Sequence, residues 1–299
     1  MDEYIETYRE CRVCPRACGV DRSRSLGVCR VPDRLFLARA ALHRWEEPPI
    51  SGTRGSGAVF FAGCSLGCEY CQNRAISRAA YGKEITADRL VEIFLALQRE
   101  GAHNINLVTP THYAPHLLYA IPRAREKGLR VPIVYNTSSY DSVEMLKRLS
   151  PHIDIFLADF KYLSPRLSLV YSHAQDYPTV AKAAIRTMVA ARDRLVFDTN
   201  GCLLSGTIVR ILLLPGALID AKAVLHYLYT TYKDKIAISL MRQYTPIEGV
   251  PPPLDRRVSD SEYLSFLRYA ESLGVRNAYT QEKTAASESY IPPFDLTGV

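Results

Sequence analysis

Between about Ser51 and Val250, short apolar runs alternate with amphipathic segments. The runs are residues 58–62, 105–108, 133–135, 153–160, 208–214 and 236–240. Each is rich in β-branched or aromatic residues and lacks in/out alternation, the pattern of a strand buried on both faces of a parallel sheet. Between them lie helical patterns. Thr86 is a suitable N-cap for a helix over 88–100, with Leu90, Ile93, Phe94 and Leu97 at helical spacing and Gly101 at the stop. Further helices are expected at 114–127, 142–149, 180–192, 221–232 and 261–272. A hairpin is expected over 195–204, where Asn200-Gly201 suits a type I′ turn.

Repeated βα units imply a parallel sheet. Six units in this span fit an incomplete (β/α)6 TIM-like barrel; a doubly wound open sheet is the alternative, and both place the active site at the carboxyl ends of the strands. Three regions follow from composition: a Cys-rich segment at 1–50, a core at 51–250, and an extension at 251–299 that opens with Pro251-Pro252-Pro253.

At 299 residues, 47% hydrophobic and 23% charged, the chain can bury a full core without disulfide staples. The net charge is +6. The N-terminal arginines (Arg12, Arg16, Arg22, Arg24, Arg30) are interleaved with Glu6, Glu10, Asp21 and Asp33, which argues against a nucleic-acid or anionic-membrane arm. Residues 1–10 are polar and acidic, unlike a leader, and the apolar stretch 208–219 is broken by Arg210, Pro215 and Gly216. The expected location is therefore cytoplasmic, with no membrane span. In that reducing compartment, clustered cysteines point to metal chemistry before disulfides.

Eight cysteines are present. Three form the loop Cys64-Ser-Leu-Gly-Cys68-Glu-Tyr-Cys71 directly after the first expected strand, with Gly63 and Gly67 allowing the turns such a wrap needs. Three thiolates on a four-iron cluster leave one iron open, as a catalytic metal site requires. A structural zinc wants four ligands, and no nearby Cys or His supplies the fourth. Cys11, Cys14, Cys18 and Cys29 instead form a complete four-thiolate set suited to zinc or to an auxiliary [4Fe–4S] cluster. A disulfide pair is the alternative there. Cys202 reads as a small buried apolar residue.

The three-cysteine loop resembles the radical S-adenosylmethionine (SAM) signature, with Tyr70 at its aromatic position. The flanking segments 46–52, 55–57, 60–64, 71–73, 104–112, 132–137, 159–162 and 241–246 are similar to the branch related to pyruvate formate-lyase activating enzyme, over about Cys11 to Pro246. The resemblance implies an oxidoreductase in which a [4Fe–4S] cluster binds SAM, receives an electron from an external donor, and releases a 5′-deoxyadenosyl radical. That radical takes hydrogen from a substrate, a protein or a small molecule, the glycine of a glycyl radical enzyme among them. It also implies cofactor contacts at strand ends: Thr109, Thr111 and His112 after the second strand, Asn136 and Thr137 after the third, Asp159 and Lys161 after the fourth, Arg210 in the fifth, and Gln243 after the sixth. For Lys161 and Arg210 the competing reading is structural, an ion pair with Asp159 for Lys161 and with Asp159 or Asp154 for Arg210. The other functional class is a non-catalytic zinc- or metal-binding module contacting RNA through its arginines. The tyrosines Tyr263, Tyr269, Tyr279 and Tyr290 read as packing residues.

Overall fold

The apolar runs form strands whose side chains are buried on both faces, because a parallel sheet is covered by the helices that cross between its strands. The computed structural model describes residues 3–78, 81–282 and 292–299; Tyr290 lies outside them. In chain order the strands are β1 (Leu35–His43), β2 (Ser56–Phe61), β3 (Lys83–Ile85), β4 (Ile105–Val108), β5 (Ile133–Thr137), β6 (Ile155–Asp159), β7 (Val196–Phe197), β8 (Leu203–Leu212), β9 (Ala237–Met241) and β10 (Ala278–Thr280).

The sheet order is β10-β9-β8-β6-β5-β4-β2-β1-β3, with β7 paired to β8 alone. From β2 through β10 every pairing on that path is parallel. The path has two free ends, so the barrel is incomplete, as expected. All six core strands read from the sequence are present. A strand from each flanking region joins them. β1 pairs antiparallel with β2, and β10 adds parallel to β9. The C-terminal tail also returns to β1, where the Ala40 amide donates to the Thr297 carbonyl at 2.8 Å.

The helices match the expected periodicities within a few residues. Thr86 caps Ala87–Arg99 by accepting from the Arg89 amide at 3.1 Å, and Ser142 caps Val143–Leu149 in the same way. Several elements went unread, among them β3, β10, one full helix and β1. Pro165–Ser172 is a helix whose start is capped by Ser164, and β1 carries Arg39 amid its apolar residues, which masks it as a strand. The hairpin is present, but its turn differs from expectation. Gly201 has φ +80 while Asn200 stays at negative φ, and Asp198 Oδ1 accepts the Asn200 and Cys202 amides at 2.8 Å each. A three-residue loop braced by an aspartate therefore replaces the type I′ turn, which would need positive φ at both central positions.

Tyr263 is buried, donates to the Leu240 carbonyl at 2.8 Å and accepts from the Gln281 amide, so it fastens the C-terminal helix to β9. β2 and β4 approach closely at Gly57. A Cβ there would lie 2.9 Å from the Asn104 carbonyl oxygen and 3.1 Å from the Cβ atoms of Leu97 and Ala102. Gly57→Ala is accordingly expected to cost about 1–3 kcal/mol through overpacking of strand against helix, read as a lower urea midpoint at unchanged m-value.

Candidate active site

All the core strands end on one rim, and the residues just past their last hydrogen bonds enclose a cavity of about 240 Å³. Cys64, Cys68 and Cys71 form one wall. Asn136, Asp159 and Arg210 form the floor, and Trp45, Gln243 and Pro292 lie on the lining from other segments.

The three-cysteine loop is built by backbone geometry. Gly63 (φ +80) and Gly67 (φ +67) adopt left-handed conformations open to glycine. A Cβ on Gly63 would strike the Cys29 carbonyl oxygen at 2.6 Å and Val31 at 2.7 Å, so the loop begins pressed against the N-terminal segment. Arg16, between Cys14 and Cys18, donates to the Ser65 carbonyl at 2.9 Å and to Leu66 at 3.2 Å, and so holds the loop from above.

None of the three cysteines is in a disulfide. Each sulfur faces a donor: the Leu66 amide at 3.4 Å from Cys64, the Ser172 hydroxyl at 3.1 Å from Cys68, and the Ser77 hydroxyl at 3.5 Å from Cys71. Such donors stabilise thiolate ligands of a metal group. Among the described residues, no three His, Cys, Asp or Glu side chains gather around the position of a single ion. Ligands to separate corners of a larger body are not required to do so. The donor set, the open glycine turns and the adjoining cavity fit a cluster held by three thiolates.

Tyr70 is buried beneath this wall. It accepts from the Tyr162 hydroxyl at 2.6 Å, and Tyr162 in turn meets Ser172 at 2.9 Å, so a chain of hydroxyls leads to Cys68. Ser172 and Tyr162 were not singled out in the sequence. No local signal marks Ser172, because the helix that carries it reaches the loop only in the folded chain, whereas Tyr162 lies within the segment 159–162.

The floor is a buried charge network. Arg210 donates to Asp159 at 2.7 Å, to Glu46 at 3.2 Å and to Asn136 Oδ1 at 2.6 Å; Lys161 meets Asp159 at 2.8 Å. Asp154 pairs with Arg125 instead. Burial pushes the Asp159 carboxyl up, but Arg210 and Lys161 outweigh it and hold the group below its ordinary range. Burial likewise works against the Lys161 ammonium, and Asp159 more than restores it. Glu46, which lines the cavity and pairs with Arg210, was given no role in the sequence reading. It sits in a quoted segment, and an acidic pair ahead of Pro48-Pro49 was the available signal. Burial raises its carboxyl despite Arg210 and the Asn106 side chain, whose Nδ2 donates to it at 2.9 Å.

Of the residues expected at strand ends, Thr109, Asn136, Thr137, Asp159, Lys161, Arg210 and Gln243 line the cavity, and Thr111 and His112 do not. Thr109 has φ +58, rare for a β-branched residue, directly at the rim. Thr111 donates to buried Asp141 at 2.7 Å, an acid that also accepts from Tyr135 and Thr137. His112 is fully buried with Nε2 2.8 Å from the Ala62 carbonyl oxygen. Gln243 is oriented by Gln281, whose amide donates to its Oε1 at 2.8 Å.

The model of the radical SAM superfamily matches residues 58–228, more than half of the chain. The chain belongs to that superfamily. It is 25% identical over 283 residues to an uncharacterized protein of Methanocaldococcus jannaschii, covering 91% of this chain and 77% of that protein. It is 30% identical over 110 residues to the pyruvate formate-lyase-activating enzyme of Clostridium pasteurianum, covering 35% of this chain and 45% of that enzyme. The fold is shared with Streptococcus suis SuiB at a TM-score of 0.51 and 12% identity, over 77% of this chain. This chain spans about half the length of that solved structure, 49%.

Two buried histidines behind the rim also set a pH dependence. Burial, aided by Arg22, pushes His112 and His116 down to about 3, so both are neutral in the native state. In the unfolded chain histidine titrates near ~6.5, so below that pH the unfolded state binds more protons. Native stability is then full above the unfolded value and falls as pH drops toward 3, by up to ~1.4 kcal/mol per pH unit for each histidine. Urea midpoints followed from about pH 7.5 to about pH 5 should decline accordingly, with a shallower slope in His116→Gln.

Proposed function

We propose that this protein is a radical SAM enzyme whose catalytic cluster is held by Cys64, Cys68 and Cys71 and whose substrate loses a hydrogen atom in the cavity beside them. The observation that carries the reading is a three-thiolate loop, each sulfur with its own hydrogen-bond donor, opening onto a cavity walled by strand-end polar groups. When bound, the [4Fe–4S] cluster and SAM supply one-electron cleavage of the sulfonium to a 5′-deoxyadenosyl radical that abstracts hydrogen.

The chain's own groups do the binding and the shielding. Thr109, Asn136 and Thr137 offer oxygen acceptors and an amide to the amino and ribose groups of SAM. Lys161 offers an ammonium to its carboxylate, a charge-assisted contact inside a water-poor site. Arg210 is already neutralised by Asp159 and Glu46, so its role is to fix the floor rather than to meet the SAM carboxylate alone. Gln243 and Met241 close the side toward β9. Apolar Phe60, Leu66 and Leu212 exclude water, which protects a reactive carbon radical from quenching. The electron comes from an external donor.

The finer reading takes the substrate to be a glycine on a partner protein, supported by the likeness to pyruvate formate-lyase-activating enzyme over 110 residues. Cytoplasmic location is part of the same proposal; among the described residues no helix is long and apolar enough to cross a membrane. The N-terminal Cys11, Cys14, Cys18 and Cys29 are proposed to hold a second metal group, zinc or an auxiliary [4Fe–4S] cluster.

Anaerobically reconstituted protein given dithionite and SAM should form 5′-deoxyadenosine, and a Cys64→Ala/Cys68→Ala/Cys71→Ala chain should form none. A fully loaded wild-type protein with no product refutes the reading. Ser172→Ala removes the hydroxyl donor from Cys68 and should move the cluster's midpoint potential to a more negative value, followed by EPR-monitored titration. A glycyl-radical EPR doublet on a candidate partner, formed only in the presence of this enzyme, checks the finer substrate.

A further inference from the structure

A buried cation without a carboxylate lies against the N-terminal cysteines. Arg22 is 1% exposed, and its guanidinium donors end on main-chain carbonyls: Nε on Val31 at 3.2 Å, Nη1 on His112 at 2.7 Å and Nη2 on Pro32 at 2.5 Å. The Tyr8 ring stacks over it with the guanidinium carbon 4.2 Å from the ring centroid, and Tyr113 stands at 5.8 Å. Burial drives both phenols upward, so neither supplies negative charge at neutral pH. Among the described residues Arg22 makes no ion pair; the ionisable groups around it are those two tyrosines, Cys11, Cys29 and the buried, neutral His112 and His116.

Carbonyls satisfy the guanidinium's hydrogen bonds and leave its charge unmatched, and burying an unmatched charge is costly. The barrel floor follows the opposite rule, since Arg210 there meets two carboxylates. What lies beside Arg22 is sulfur. Cys29 Sγ and Arg22 Nε converge on the same Val31 carbonyl, at 4.0 and 3.2 Å. Cys11 and Cys14 are buried in the same segment, and Cys18 Sγ accepts the Val28 amide at 3.5 Å.

We propose that Arg22 is the buried counter-charge of a metal–thiolate centre formed by Cys11, Cys14, Cys18 and Cys29. This rests on the reading that these four cysteines hold a metal group, and it adds a reason that spacing does not supply. Disulfides and free thiols are neutral and leave Arg22 unmatched. Four thiolates outweigh a divalent zinc or a dicationic [4Fe–4S] core, so either filling carries the net negative charge that Arg22 requires. Because no three of these sulfurs gather around one ion's position, the cluster, whose ligands bind separate corners, is the filling that the geometry fits.

The test uses the full chain carrying Cys64→Ala/Cys68→Ala/Cys71→Ala, so that any bound metal belongs to the other four cysteines. Zinc, iron and sulfide per chain are measured after challenge with a graded chelator, and thermal midpoints are taken with and without metal. With Arg22 intact the chain should retain one metal group, zinc or cluster according to which elements remain. Arg22→Gln keeps donors for the carbonyls and loses the charge; it should release metal at about tenfold lower chelator concentration and lose more thermal stability in the loaded form than in the metal-free form. Arg22→Lys keeps the charge and should stay within a few-fold of the parent. Equal retention in Gln and parent, or equal thermal loss in both forms, overturns the proposal and leaves Arg22 a purely steric and hydrogen-bonding brace. Should the Gln chain not fold, the Lys chain decides: retention near the parent supports the charge role, and a tenfold loss overturns it. If the parent itself retains no metal, the metal reading of the four cysteines fails first, an outcome distinct from failure at Arg22.

Discussion

Parallel pairing from β2 to β10 is the constraint on which the rest depends. Strands that run the same way deliver all their last residues to one rim, and each crossover helix must then return across the outside. Residues far apart in sequence, such as Cys64 after β2, Asn136 at the end of β5 and Arg210 in β8, become neighbours for that reason alone. An antiparallel sheet would send alternate strand ends to opposite sides and divide the site between them. Of the antiparallel strands, β1 and β3 sit at the open edge, where they cover β2 without disturbing the rim, and β7 pairs with β8 alone, off the main path.

Charge is the second organising force. The barrel interior is apolar, so each cation placed at its end needs a partner held at short range. Arg210 takes Glu46 and Asp159, and Asp159 also takes Lys161, so the network is close to neutral before any ligand enters. A floor already balanced in this way can accept a zwitterionic ligand by exchanging partners, without stranding a charge. Asp141 performs a related task one layer lower. Its oxygens take the hydroxyl protons of Thr111, Thr137 and Tyr135, which fixes those side chains behind the rim, and Thr137 Oγ1 in turn accepts the Ser139 amide at 3.1 Å.

The N-terminal segment is bound to the site through arginine side chains and a main-chain carbonyl. Arg16 grips the carbonyls of Ser65 and Leu66, Arg22 grips that of His112, and the Cys29 carbonyl presses on Gly63. A change in the order of the four-cysteine segment is therefore transmitted directly to the loop carrying Cys64 and Cys68. Two cysteine sets of different number, three and four, thus share one mechanical unit.

The sequence alone was enough for the parallel core, since doubly buried strands and amphipathic crossovers leave unambiguous local patterns. It was also enough for the three-cysteine loop, whose cysteines lie within eight consecutive residues, and for the cap at Thr86. Other features belonged to the tertiary structure. Whether Arg210 meets Asp159, Asp154 or Glu46 depends on which strands adjoin, and β6 pairing with β8 settles it. Ser172 and Ser77 reach the sulfurs from separate helices, and His112, which reads as a ligand contact after a strand, is turned into the core against Ala62. The hairpin turn went to an aspartate brace that Asn-Gly alone does not reveal. Local patterns are fixed by each residue's immediate neighbours along the chain, whereas charge pairing and hydrogen bonding to sulfur are fixed by distances that exist only once the strands have chosen their order.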